Sequence, residues 1–267
     1  MSKRKALGQH FLTDLSILRK IVDVLDPKKD ELVIEIGAGK GALTRPLAQR
    51  SGKVIAIEKD KDLVPFLREA CPGNVAILEQ DVLRLNFRDL VAREEAFRGR
   101  VKIAGNLPYS ISSPLLFKVL EDKDLFAACV FLLQKEVAER LAAKPGSKNS
   151  APLSILFQLH FQVSVRFAVE PGSFFPPPKV RSAVVSLEKR PQPLFDIGHE
   201  DCFRRFLRSA FAHRRKTLFN NLKSGPFAPV RLKESWPALG LKENIRAEQL
   251  SIGQWVSLFH LLTMIKS

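Results

Sequence analysis

From Asp14 to Leu25, apolar residues fall at Leu15, Ile17, Leu18, Ile21, Val22 and Leu25. That 3.6-residue stripe predicts a helix. Thr13 or Asp14 is placed to cap it and Pro27 to stop it. Short β-branched runs then alternate with helical stripes. The runs ELVIEIG, KVIAIEKD, NVAILEQD and RVKIAGN read as strands, and AACVFLLQKE as a fifth that runs into a helix. ALTRPLAQRSG, KDLVPFLREACPG and SSPLLFKVLED read as helices, with Pro65 in the first turn of the second. This rhythm predicts an α/β fold, a parallel sheet with helices on both faces. Ligands of such sheets bind outside the carboxyl ends of the strands. After Lys144 the pattern changes to a loop, a helix leading into a strand (LSILFQLHFQVSVRFAVEPG), a proline-broken loop and the strand Ala183 to Leu187. Arg190 to Pro193 read as a linker, and from Asp196 on only helices are predicted. The expected domains are residues 1–190 and a small all-α domain over 191–267.

Composition narrows the partner. The chain has 267 residues, is 45% hydrophobic and 27% charged, and reads as a soluble globular protein. No apolar run reaches the roughly 18 residues that span a bilayer, and the basic N-terminus lacks the apolar core of a secretory leader. The three cysteines have no paired spacing, so neither a disulfide framework nor a metal site is expected, and a reducing cytoplasm fits. The formal net charge is +15. That excess favours a polyanion, with nucleic acid ahead of a membrane surface.

The unusual residues gather at strand ends. Gly37, Gly39 and Gly41 stand between the first strand and its helix. A turn without Cβ atoms lets backbone N–H groups approach a ligand at a helix N-terminus. Glu58 ends the second strand, where a carboxylate accepts hydrogen bonds from both hydroxyls of a ribose. Asp81 ends the third, where an acceptor reads an adenine amino group. Together they describe an adenosine-containing cofactor, with NAD and S-adenosylmethionine both open.

The fourth strand ends in Asn106, Leu107, Pro108 and Tyr109, the only tyrosine of the chain. Methylating an exocyclic base amine requires freeing a lone pair that is delocalised into the ring. Two acceptors on its N–H groups do that without a charge: an Asn oxygen and a backbone carbonyl, here of Leu107. Pro108 stiffens the carbonyl. Tyr109 offers a stacking face worth roughly 1–3 kcal/mol. The target base must stand out of its helix.

EIGAGKG, IEKD, QDVL and NLPY, in that order, resemble an S-adenosylmethionine-dependent adenine-N6 methyltransferase. LGQHFL, FFPPPKVRSAVV and FRRFLRSAFAHRRKTLFNNL narrow the resemblance to the KsgA (RsmA) family, over nearly the whole chain. The resemblance implies a Rossmann-like class I S-adenosylmethionine-dependent methyltransferase fold with a small C-terminal all-α domain. It implies dimethylation of two adjacent adenosines in the loop of the 3′-terminal helix of 16S rRNA in the small ribosomal subunit, in the cytoplasm. By the same resemblance Gln9, His10 and Leu12 flank the methionine end of S-adenosylmethionine, and Gly37, Gly39 and Gly41 meet its methionine and ribose. Glu58, followed by Lys59, holds the ribose hydroxyls, and Asp81 with Val82 reads the adenine. Asn106 bridges cofactor and target, Leu107 and Pro108 form the carbonyl wall, and Tyr109 and Phe175 sandwich the base, with Phe174 as the alternative to Phe175. His10 stands where the family usually has Asn, so its contact is expected to be sensitive to pH.

On the RNA side, Lys3, Arg4, Lys5, Arg204, Arg205, Arg208, Arg214, Arg215 and Lys216 are the expected phosphate contacts. From Arg190 on, 13 Lys and Arg face 6 Asp and Glu. The Arg214–Lys216 cluster fits the C-terminus of a helix equally well. The competing readings are a related large-subunit (23S) rRNA methyltransferase conferring antibiotic resistance, a non-catalytic RNA-binding assembly factor, and a NAD-dependent dehydrogenase. A monomer is expected, with residues 3–11 mobile in the free protein.

Overall fold

The computed structural model describes residues 10–144, 146–225 and 229–263. Lys3, Arg4, Lys5 and Gln9 lie outside these, as does most of the segment expected to be mobile. The described residues cluster into two compact units. The larger runs to Ala138 and includes Gln162–Lys189; the smaller holds Glu139–Phe161 and the residues from Arg190 on. A single cut after residue 190 does not reproduce this division, because Glu139–Phe161 groups with the C-terminal helices.

In the larger unit the chain opens with β1 (Phe11–Leu12) and α1 (Leu15–Leu25). Asp14 caps α1, its Oδ1 accepting from the N–H groups of Ser16 (2.9 Å) and Ile17 (3.3 Å). The helix stops at Asp26, which takes a left-handed conformation just before Pro27. Leu18, Ile21, Val22 and Leu25 are buried, but Leu15, part of the same apolar stripe, is 67% exposed. Then come β2 (Leu32–Ile36), α2 (Thr44–Arg50), β3 (Lys53–Glu58), α3 (Val64–Ala70) and β4 (Val75–Glu79). A short α4 (Phe87–Ala92), which the sequence pattern did not suggest, precedes β5 (Val101–Asn106) and α5 (Ser112–Glu121). Next are β6 (Phe126–Gln134), α6 (Lys135–Leu141), α7 (Pro152–His160), β7 (Phe161–Val169), β8 (Phe174–Phe175) and β9 (Ser182–Lys189).

Seven strands form one sheet in the order β4-β3-β2-β5-β6-β9-β7. The first five are parallel, and β9 then pairs antiparallel with β6. β2 lies in the middle and all five of its residues are buried, whereas β4 at the edge has none. That contrast is what burial on both faces dictates for a central parallel strand. The chain enters this sheet at β2, steps outward to β3 and β4, and returns to β5 on the other side. The β2–β5 boundary is therefore the switch point, where the crevice of a doubly wound sheet opens. Separately, β1 and β8 form a two-stranded ribbon that pairs Phe11 with Phe175 and Leu12 with Phe174.

The smaller unit is helical: α6 beyond Ala138, α7, and then α8 (Glu200–Ala210), α9 (Leu218–Lys223), α10 (Pro229–Ala238) and α11 (Ile252–Thr263). Its core includes Phe203, Phe206, Trp255 and Phe259, with ring centroids 5.1–5.6 Å apart where Phe206 meets Trp255 and Phe203 meets Phe259. Among the described residues no helix is long and apolar enough to cross a membrane, and no group of metal-ligating side chains gathers.

Candidate active site

The glycine loop follows β2 at the switch point. Gly37, Gly39 and Gly41 all have positive φ, at 71°, 58° and 82°, which side chains rarely tolerate. At Gly39 space is also short: a Cβ would come within 3.2 Å of the Phe11 ring. The expectation that these glycine N–H groups meet a ligand needs correction. Gly37 donates to the Ile57 carbonyl (2.9 Å), Gly39 to Glu58 Oε2 (2.8 Å) and Gly41 to the Ala38 carbonyl (2.9 Å). The loop gives close approach and shape; its glycine donors are spent on holding that shape.

Glu58, at the end of β3, is only 4% exposed. Oε2 accepts from Gly39 and Oε1 from the N–H of Asp60 (2.8 Å). Each oxygen keeps a lone pair for a further donor. At the end of the next strand, Asp81 Oδ1 caps a short turn through Leu83 N–H (3.0 Å), and Oδ2 meets Lys59 Nζ at 2.8 Å. The hydrogen bond from Lys59 is the main reason its carboxyl is held below the usual range.

Asn106 ends β5. Its Nδ2 donates to the backbone carbonyl of His10 (2.9 Å). A carbonyl only accepts, so the amide orientation is fixed and Oδ1 stays available as an acceptor. Among the described residues nothing donates to the Leu107 carbonyl. Pro108 O anchors the turn into α5 through Ile111 N–H (3.1 Å). Tyr109 hydroxyl meets Ser182 Oγ at 2.8 Å, which pins the ring, and partial burial pushes its phenol up. Ser182 was legible only as the serine of the FFPPPKVRSAVV motif.

The ribbon closes over this wall. His10 Nδ1 donates to the Pro176 carbonyl (2.7 Å), and its ring centroid lies 5.7 Å from that of Tyr109. Phe174 is 4% exposed and packs in the core, whereas Phe175 is 72% exposed.

A cavity of about 600 Å³ unites His10, Gly37, Gly39, Glu58, Lys59, Asp81, Val82, Asn106, Leu107, Pro108 and Tyr109. Its size is ordinary for a small-molecule site. Leu12, Gly41 and Phe175 do not line it. Leu12 turns into the core, and Gly41 sits against Leu67 and Cys71. Sequence reasoning missed Phe11, which lines the cavity, and Glu35, buried in β2. Burial, with a smaller push from Glu58, raises the Glu35 carboxyl to about 8, and its Oε2 finds no partner among the described residues.

The basic residues of the smaller unit divide. Arg204 lies along its own helix, 3.9 Å from Glu200 and from Asp201. Arg205, Arg208, Arg214, Arg215 and Lys216 are exposed, and the last three stand in the loop between α8 and α9 rather than in a helix.

Curated relatives agree with the motifs. A ribosomal RNA small subunit methyltransferase A from Geobacter metallireducens is 46% identical, covering 96% of this chain and 94% of its own. One of the same name from Geobacter sulfurreducens is 47% identical over 96% and 93%. Among solved structures, a dimethyladenosine transferase from Plasmodium falciparum superposes with a TM-score of 0.79 at 28% identity, covering 93% of this chain and 96% of that one. The 23S rRNA methyltransferase ErmE shares the fold at 24% identity, with a TM-score of 0.74, over 95% and 100%. The model of the ribosomal RNA adenine dimethylases matches residues 1–264, and the chain belongs to that family of rRNA methyltransferases.

Proposed function

We propose that this enzyme dimethylates N6 of two adjacent adenosines in the loop of the 3′-terminal helix of 16S rRNA, acting in the cytoplasm as a monomer on the assembling small subunit, with S-adenosylmethionine as its cofactor. The observation that carries this reading is the fixed amide of Asn106. With Nδ2 held by His10, Oδ1 and the Leu107 carbonyl are two neutral acceptors at one strand end.

The cavity fits the cofactor. The glycine loop allows close contact, Glu58 keeps lone pairs for ribose hydroxyls, and Asp81 with Val82 lines the place for an adenine. Lys59 holds Asp81 Oδ2 (2.8 Å), and each oxygen of that carboxylate keeps a further acceptor position for the contact. When bound, S-adenosylmethionine supplies an electrophilic methyl group. The chain's own residues do the rest. In the first transfer Asn106 Oδ1 and the Leu107 carbonyl accept the two N–H groups of the target amine and turn its lone pair out of the ring plane; in the second, one of these acceptors takes the single N–H that remains. Tyr109, held by Ser182, offers one stacking face, and exposed Phe175 is free to offer the other. No ionised base is needed at the amine, because its N–H becomes acidic once alkylated.

A mass-spectrometric count of methyl groups on small- and large-subunit rRNA tests the reading. Four methyls on the small-subunit loop are expected; equal or better transfer to large-subunit RNA overturns the choice of substrate. A calorimetric titration tests the cofactor, with binding of S-adenosylmethionine and not NAD expected.

A further inference from the structure

We infer that Ser182 is a positioning residue whose hydrogen bond to the Tyr109 phenol governs the second methyl transfer more than the first. It thereby sets how much of the monomethylated base goes on to the dimethylated one. Ser112 completes the hold at the other end of the tyrosine. The inference rests on the dimethylation proposed above and adds to it a residue that acts on one of its two steps.

Tyr109 is held at both ends by buried serines. Ser182 is 0% exposed at the start of β9, and its Oγ meets the phenol at 2.8 Å. The sheet fixes its backbone: Ser182 stands opposite Gln134 of β6, and the Lys135 N–H donates to the neighbouring Arg181 carbonyl (3.0 Å). Ser112 is buried in the first turn of α5, with its hydroxyl 3.2 Å from both the Pro108 and the Tyr109 carbonyls. The Leu107 N–H donates to the Leu132 carbonyl of β6 (3.2 Å). The ring offered for stacking and the carbonyl offered to the amine are therefore both aligned on one strand.

Stacking by itself needs only a flat ring and no hydroxyl. The phenol instead meets a hydroxyl that water does not reach. A buried hydroxyl left without a partner is costly. Turning the Tyr109 ring away would strand Ser182 Oγ in that state, so the ring has one preferred setting. The peptide end cannot follow a rotation either, because the Ser112 hydroxyl and the Ile111 N–H (3.1 Å) hold the Pro108 carbonyl.

The two transfers make different demands on that setting. In each, the amine lone pair forms an N–C bond as the S–C bond of the cofactor's sulfonium breaks, and one amine proton passes to water. The first begins with two N–H groups, and Asn106 Oδ1 and the Leu107 carbonyl take one each. The second begins with one N–H, so one acceptor is idle and the amine is fixed by one hydrogen bond fewer. Its aim at the methyl group then depends more on the ring beneath the base, and misplacement of reacting atoms is costly in rate. A loosened Tyr109 ring therefore slows the second transfer more than the first.

The test uses the full chain with unmethylated small subunits, and mass spectrometry follows mono- and dimethyladenosine over time. Ser182→Ala should slow the second transfer about fivefold relative to the first, the scale of one lost hydrogen bond, so that monomethyladenosine accumulates. The KM for S-adenosylmethionine should stay unchanged. Tyr109→Phe keeps the plate and removes the same bond from its other end, so it should shift the ratio in the same direction. The pair of changes together should do no more than either alone. Equal slowing of both transfers in Ser182→Ala, or losses that multiply in the pair, overturns the proposal. If the unaltered chain itself yields no dimethyladenosine, it is the dimethylation reading that fails. Tyr109 is the only tyrosine, so isotope-labelled tyrosine gives a single phenol signal by NMR. That signal should move toward the value of free tyrosine in Ser182→Ala, and an unmoved signal removes the hydrogen bond from the argument.

Discussion

Glu35 is a carboxyl group in the middle of a central strand, 2% exposed, with one oxygen unpartnered among the described residues. Burial raises it from 4.5 to about 8. The folded protein therefore holds a proton there that the unfolded chain releases near 4.5. Stability from this group is complete below that value and is lost as pH rises through about 8, at up to about 1.4 kcal/mol per pH unit. Glu35→Gln keeps the shape without the titration. Thermal unfolding from pH 5 to 9 should fall with pH in the unaltered chain and be flatter in the variant; parallel curves would refute the assignment. His10 acts through a hydrogen bond, its Nδ1 donating to the Pro176 carbonyl (2.7 Å). His10→Ala should lower kcat/KM about tenfold, the scale of one lost hydrogen bond. His10→Asn, which keeps a donor, should recover part of that loss, and equal loss in both variants would count against the donor role.

At the scale of elements, the β2–β5 pair decides the site, and Gly105 decides the pair. A Cβ at Gly105 would lie 2.6 Å from the Ile36 carbonyl and 2.9 Å from the Leu107 side chain. The two strands that carry Gly37 and Asn106 can approach only because residue 105 has no side chain. Gly105→Ala should cost about 1–3 kcal/mol in a urea titration, with methyl transfer falling further than the fraction folded; full activity in the folded population would mean the strand ends do not depend on this approach. The sequence made the parallel strands and their helices legible because each carries its own period, from α1 through β6. It did not reveal the β1–β8 ribbon, whose strands of two residues have no period and pair across more than 160 positions. The same limit explains the site. Glu58, Asp81 and Asn106 stand at strand ends and could be read from position, whereas the partners that aim them, the His10 carbonyl, Ser182 and the ribbon, come from pairings between distant segments. Phe174 and Phe175 are adjacent in sequence, and only the ribbon's register shows which one the core takes.

For the whole molecule, the charge of +15 was readable without any fold, but its use depends on where the cations stand. Arg204 is occupied along its own helix, and Arg214 is occupied by a carbonyl. The contacts proposed for the cofactor are instead hydrogen bonds inside the cavity, where Glu58 is almost wholly buried. The two substrates should therefore respond to salt in opposite ways. An RNA held by 6–10 phosphate contacts loses about 10³–10⁵ in affinity between 50 and 200 mM salt, while interactions inside a buried site are screened far less. Steady-state methyl transfer measured across that range should show the KM for rRNA rising steeply and the KM for S-adenosylmethionine moving less than about threefold. A steep rise in both would mean that the cofactor site is itself exposed to screening. A flat response in both would mean that the basic excess does not hold the RNA, and the substrate would then have to be gripped through the cavity wall at Tyr109 and Phe175 alone.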